Sequence, residues 1–188
     1  MSIVITPPAV EPVLLEQAID HLRLSSDAAD LAQVSFLVSA SRAFMEDHLG
    51  RALITQTVED IFDAWPADEF RLCQPFQSVS QITYIDADGA WQTLSAALYA
   101  TVPERGIIER AYGASWPEVR CQRGAVRLRT VVGFGASWND VPRPIRQGIL
   151  IMTAQMYEHR EAVITGTIVS ELPMGVRLLV APYRLVGF

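Results

Sequence analysis

SSDAADLAQVSFLVSASRAFMEDHLGRALITQTVEDIF, Ser25–Phe62, changes its period partway along. Up to Leu49 the apolar residues recur at helical spacing. Leu31, Val34, Val38, Met45 and Leu49 form one stripe, widened by Leu37 and Phe44. Asp27 is placed to cap this helix, and Asp30 adds negative charge to its first turn, where unpaired N–H groups favour it. Gly50 stands where a helix commonly ends in a left-handed residue. From Leu53 onward the pattern alternates and is rich in β-branched side chains, which reads as a strand.

Working outward, residues 1–11 read as an extended arm, because Pro7 and Pro8 discourage helix. EPVLLEQAIDHLRL then sets Leu14, Leu15, Ala18, Ile19 and Leu22 at helical spacing. Beyond Phe62, FRLCQPF, VSQITYID, WQTLS, LYATV and GIIERAY read as short strands separated by turn residues, in a β meander. AVRLRTVVGF is the strongest of the set, with Val126, Leu128 and Thr130 on one face and Arg127 and Arg129 on the other. NDVPRPIRQGILIMTAQMYEHREA returns to helix, placing Ile145, Ile149, Met152 and Met156 on one face with Leu150 and Tyr157 beside it.

None of these helices buries its stripe alone. The pattern therefore predicts an α+β fold: a small helical bundle, made of the two N-terminal helices plus one long helix in the C-terminal half, with an inserted antiparallel β module. The expected boundaries are 1–50 for the arm and first helices, 51–135 for the β module, 136–170 for the long helix and its loop, and 171–188 for an apolar tail.

Composition narrows the function classes. Of 188 residues half are hydrophobic and 19% charged, enough for a real core. A net charge of −6 argues against a protein that grips nucleic acid through a basic face. All 15 basic residues are arginine, whose planar fork suits interfaces. Cys73 and Cys121 belong to no metal-binding pattern and read as reduced, half-buried thiols. The first residues lack the basic segment of a signal peptide, and no uncharged apolar run approaches the length of a membrane span.

Motifs that could carry chemistry fall to simpler readings. DADG, Asp86–Gly89, begins like a calcium loop but lacks the later ligands, and between two strands it favours a tight turn. Gly133 and Gly135 lack the third glycine and the following helix of a dinucleotide site. His48 beside Glu46 and Asp47, and His159 beside Glu158, are helical neighbours that point about 100° apart and do not converge. No hydrolase nucleophile elbow is present. No catalytic residue, metal ligand or cofactor site is expected.

Seven segments in order carry a resemblance: LEQAIDHLRL, GRALITQTVE, QSVSQITYIDADGAWQTL, SWPEV, AVRLRTVVGFG, VPRPIRQGILIMTAQMYEHRE and ELPMGVRLLVAPYR. Together they resemble the head–tail connector, or adaptor, proteins of long-tailed bacteriophages and of phage-derived gene transfer agents. The resemblance runs from about residue 14 to residue 184. It departs at Cys73 and Phe76, where relatives often have prolines. It implies a structural, non-enzymatic protein of the virion neck, assembled in the host cytoplasm. It also implies a ring of about twelve copies beneath the portal, the closed form of a head-to-tail interface. A stopper or tail-completion protein would lie on the other side, with DNA passing through the lumen without sequence-specific binding. No DNA-contacting residue is assigned. A stopper of the same neck is the alternative reading. An enzyme or sugar-binding module using the β insert is the more distant one.

The resemblance also directs the tail, ELPMGVRLLVAPYRLVGF, toward the portal. Burying its large apolar side chains does not by itself offset ordering its backbone. Met174–Val180 is therefore expected to be already folded as a short helix on its own bundle, leaving Ala181–Phe188 free to engage the portal; the alternative is that the whole tail packs on its own domain. The expected docking residues are Leu178, Leu179, Ala181, Pro182, Tyr183, Arg184, Leu185 and Phe188, with Tyr183 and Arg184 as anchors.

Overall fold

The change of period at Gly50 is also where one kind of structure gives way to another. The structure, a computed structural model, describes residues 2–24, 28–67, 69–72, 74–158 and 173–185. Asp27, Cys73, His159 and Phe188 lie outside these residues. Two compact units result: Met1–Ala9 with Thr55–Phe134, and Val10–Ile54 with Gly135–Phe188. The first is β and the second helical, which makes the fold α+β.

Among the described residues the β unit contains eight strands in two antiparallel sheets. The larger sheet runs β1 (Ser2–Thr6), β2 (Gln56–Phe62), β8 (Val126–Val132), β4 (Phe76–Ile85), β5 (Trp91–Thr93). The smaller runs β3 (Glu69–Arg71), β7 (Ile107–Arg110), β6 (Tyr99–Val102). The expected meander is thus corrected: β8, the last strand in sequence, pairs between β2 and β4. Its alternation explains this central place, because Val126, Leu128, Thr130 and Val132 are all buried. On the opposite face Arg129 stands across from Glu59 in the β2 register and its Nε donates to Glu59 Oε1 at 2.6 Å.

Both sheets feed one core: Phe76, Ile82, Val126 and Leu128 from the larger, Phe70 and Ile108 from the smaller, with Leu72 and Leu94 beside them. Aromatic rings close its margin. Trp65 stacks on Trp116 with centroids 4.9 Å apart, and its indole N–H donates to the Pro117 carbonyl at 2.8 Å. The SWPEV segment is therefore a lid on this core. Asp86–Gly89 forms the β4–β5 turn: the Asp86 carboxylate accepts from the Gln92 side chain and from Ala90 N–H, and these bonds hold its pKa below the usual range. Gly89, at φ +89°, supplies the backbone conformation that turn requires.

The N-terminal arm is a second correction. Grouped by sequence with the helices, Ser2–Thr6 instead pairs with β2 as an outer strand of the larger sheet. SIVIT is β-branched throughout its middle, and the two prolines that follow end the strand.

The helical unit holds α1 (Leu15–Leu22), α2 (Ala28–Leu49), α3 (Arg143–Glu158) and α4 (Met174–Val180). Helix α2 buries Val34, Val38, Ser41, Met45 and Leu49, and α3 buries Ile145, Gly148, Ile149, Met152 and Thr153. Leu31, Leu37, Phe44 and Met156 are half-buried at the edges of these stripes. Leu14, expected on the α1 stripe, is instead the residue before the helix and is 39% exposed; its N–H donates to Gln17 Oε1. Between α2 and α3 the Thr153 hydroxyl donates to the Ile149 carbonyl at 2.8 Å and lies 3.1 Å from Ser41 Oγ. At its far end α2 stops at Gly50, φ +63°. Cys121 is exposed rather than half-buried. No helix among the described residues is long and apolar enough to cross a membrane.

Candidate docking surface

The apolar tail begins as α4, the expected Met174–Val180 helix. Its sequence MGVRLLV places Val176 and Val180 one turn apart, and both are buried, at 1% and 0% exposure. They seat against α3 at Gly148. A methyl group there would stand 3.2 Å from Val176 Cγ1, 3.3 Å from Val180 Cγ1 and 3.1 Å from Met45 Cε. Glycine thus lets α2 and α4 both approach α3 closely. The sequence reading missed this residue, although it lies three positions after Ile145 and four before Met152, within the apolar stripe.

The other face of α4 is open. Met174 is 79% exposed and Leu178 70% exposed, with Arg177 exposed between them. Leu179 is half-buried. Ala181–Tyr183 continues as a single 3₁₀ turn, closed by Arg184 N–H donating to the Ala181 carbonyl. Leu185 N–H donates to the Leu49 carbonyl at 3.0 Å. That carbonyl belongs to the last turn of α2, where no intrahelical donor remains, so the tail completes the helix end. The expectation of a free segment from Ala181 is corrected accordingly: Ala181–Leu185 is fastened to its own bundle. Ala181, Pro182 and Arg184 are exposed, while Tyr183 and Leu185 are half-buried.

Charge gathers at the same place. Burial, then the positive charges of Arg184 and Arg177, hold the His48 imidazole below its usual range, with Asp47 opposing. Two arginines near the carbonyl end of α2 also complement its dipole. Glu46 does not face His48. Its carboxylate accepts from Leu53 N–H at 2.8 Å and from Arg42 at 2.6 Å, and Arg42 also holds Glu11 at 2.8 Å. Burial raises the Glu46 pKa, against the pull of the Leu53 N–H and of Arg42. These side chains knit the bundle and do not converge on a substrate. Among the described residues no group of three His, Cys, Asp or Glu is placed to hold a metal ion. A shallow depression between Val10, Val13, Leu15, Val38 and Trp138 is mostly apolar, and its carboxylate, Glu11, is taken up by Arg42.

No family model matches the sequence, and no curated protein matches it. Solved structures do. A chain of the neck of an empty GTA particle computed with C6 symmetry is 26% identical, with a TM-score of 0.80 over 100% of this chain and 97% of that one. A chain of the virion of a native gene transfer agent (GTA) particle is 27% identical at the same TM-score and coverage. A third, from the neck of a native GTA particle computed with C12 symmetry, is 27% identical with a TM-score of 0.71 over 99% of this chain and 97% of that one. Helical bundle, inserted β unit and closing tail are thus similar as a whole to a component of gene transfer agent particles, a likeness that supports a phage or gene transfer agent neck protein with a structural role.

Proposed function

We propose that this protein is the head–tail adaptor of such a neck. Copies of it close a ring beneath the portal, meet a stopper or tail-completion protein on the other side, and leave a lumen through which DNA passes. The observation that carries this reading is the end-to-end likeness to neck chains. Twelve copies satisfy both the C6 and the C12 symmetry of those assemblies. The net charge of −6 suits a channel through which DNA slides, since a strongly basic lining would hold phosphates. Its work is mechanical rather than enzymatic.

The portal contact is the open face of the tail. Leu178 projects from a helix already seated by Val176 and Val180, and Ala181, Pro182 and Arg184 extend the surface. Leu179, Tyr183 and Leu185 support it from half-buried positions, and Phe188 follows. Because α4 is folded beforehand, little ordering entropy remains to oppose docking, and a ring repeats the contact so that each engagement raises the effective concentration of the next.

Mixing the protein with the portal from its own gene cluster tests this. The expected result is an annular complex by electron microscopy that Leu178→Asp with Arg184→Glu abolishes while the melting temperature holds. An intact chain that binds no portal would overturn the adaptor reading. Portal binding that survives in the double variant would favour the stopper position, one layer lower.

A further inference from the structure

The strand β1 is built in a way that an isolated subunit does not explain. Among the described residues it is the end strand of the larger sheet, paired with β2 on one side. Its three central residues, Ile3, Val4 and Ile5, are 45%, 51% and 44% exposed. Open edges in soluble proteins are normally protected by a charge or a proline within the strand, by a β-bulge or by extreme shortness, and of these β1 shows only a shift of register against β2 between Val4 and Thr6. SIVIT has no charge and no proline, and its composition is that of a segment prone to pair with any strand it meets. Alternate residues of an antiparallel strand turn their N–H and C=O away from the existing partner, and among the described residues no strand pairs with that outer side of β1, so it offers backbone donors and acceptors flanked by apolar side chains.

The same sheet has a second open end. β5, Trp91–Thr93, closes the opposite side of the order, and Trp91 is 47% exposed. A ring needs a heterologous interface: each copy must carry two different surfaces that fit one another. Opposite edges of one sheet satisfy this through their backbones alone. An aromatic beside β-branched residues is also a favourable cross-strand pairing.

We propose that β1 of one copy adds to the β5 edge of the next, so that the larger sheets run on from subunit to subunit. The occupant of each edge is a second copy of this chain. The inference rests on the ring reading above and names the contact that closes the ring. The apolar exposure of Ile3, Val4, Ile5 and Trp91 then belongs to the free subunit only.

The test uses full-length protein assembled with its portal, with Cys73 and Cys121 replaced by serine. Val4→Cys combined with Gln92→Cys, treated with a short thiol-to-thiol cross-linker, is expected to give a ladder of covalent multimers, and either cysteine alone none. Separately, Ile3→Lys with Ile5→Lys puts two charges on the edge strand, the device by which natural edges resist pairing, and is expected to weaken ring assembly by about tenfold or more. Both side chains are partly exposed, so the monomer should keep its melting temperature. No ladder in assembled necks, a cross-link to the portal instead, or rings that form normally with the lysine pair would each overturn the inference. Those results leave the adaptor reading standing, whereas wild-type protein that forms no ring with its portal removes both.

Discussion

The β unit and the helical unit bury their apolar residues by different means. The β unit draws on one nearly continuous stretch of chain and fills its core with large rings and branched side chains, Phe70, Phe76, Ile82, Ile108 and Leu128, under the Trp65–Trp116 stack. The helical unit is gathered from distant parts of the chain and relies on close approach: Gly148 admits two neighbours at once, and Ser41 and Thr153 meet in its middle. Its last piece, the tail from α4 to Leu185, is seated by the buried Val176 and Val180 and by the hydrogen bond from Leu185 N–H to the Leu49 carbonyl. The contrast teaches where each unit is open to partners. The β unit closes its core and leaves strand edges; the helical unit leaves a helix face. Elements held by few buried contacts are also those that open at the lowest cost.

The largest expected effect is in the β core. Phe70→Ala removes a fully buried ring that touches Phe62, Trp65 and Trp116, and should cost about 3–5 kcal/mol. Denaturant unfolding followed by tryptophan fluorescence measures it. A loss below about 1 kcal/mol would mean that this core is not the keystone of the unit.

Next comes the seat of α4. Gly148→Leu drives a side chain into space already occupied by Met45, Val176 and Val180, and should cost about 1–3 kcal/mol. Hydrogen exchange localises the damage. Amides of Val176–Val180 should exchange faster, and unchanged protection there would show that α4 does not depend on this glycine.

The smallest effects are electrostatic, and they have opposite signs at adjacent parts of α2. Glu46 has a raised pKa, so the native state binds its proton more tightly than the unfolded chain. Its stabilising contribution is fully present below the ordinary glutamate value of 4.5 and is lost as pH rises through the higher folded value. His48 has a lowered pKa. Its contribution is present above 6.5 and is lost as pH falls through the lower folded value. Relative to wild type, Glu46→Gln should therefore lose most at acid pH, and His48→Gln should lose most above neutrality. Melting curves across pH that shift in parallel for the two variants would contradict this assignment.

Local periodicity made most of the elements legible. The stripes of α2 and α3, the alternation of β8, the stop at Gly50 and the turn at Asp86–Gly89 all follow from side-chain spacing and backbone preference, which act over a few residues. The seating of Leu185 on Leu49 was not legible, because no pattern in the tail encodes which distant carbonyl lacks a donor. Gly148 was passed over for a similar reason: a glycine inside a helix signals a close neighbour only once that neighbour is known.

Partnership between strands also lay beyond local signals. Nothing in AVRLRTVV says that it pairs with both β2 and β4, or that SIVIT joins the sheet's edge, since antiparallel strands of one composition can exchange neighbours without changing their own pattern. The sequence alone determined which segments are helix and strand and which face of each is apolar, because those properties are written in short-range spacing. Only the tertiary structure decided which faces and edges stay uncovered, because exposure depends on what every other part of the chain has already occupied.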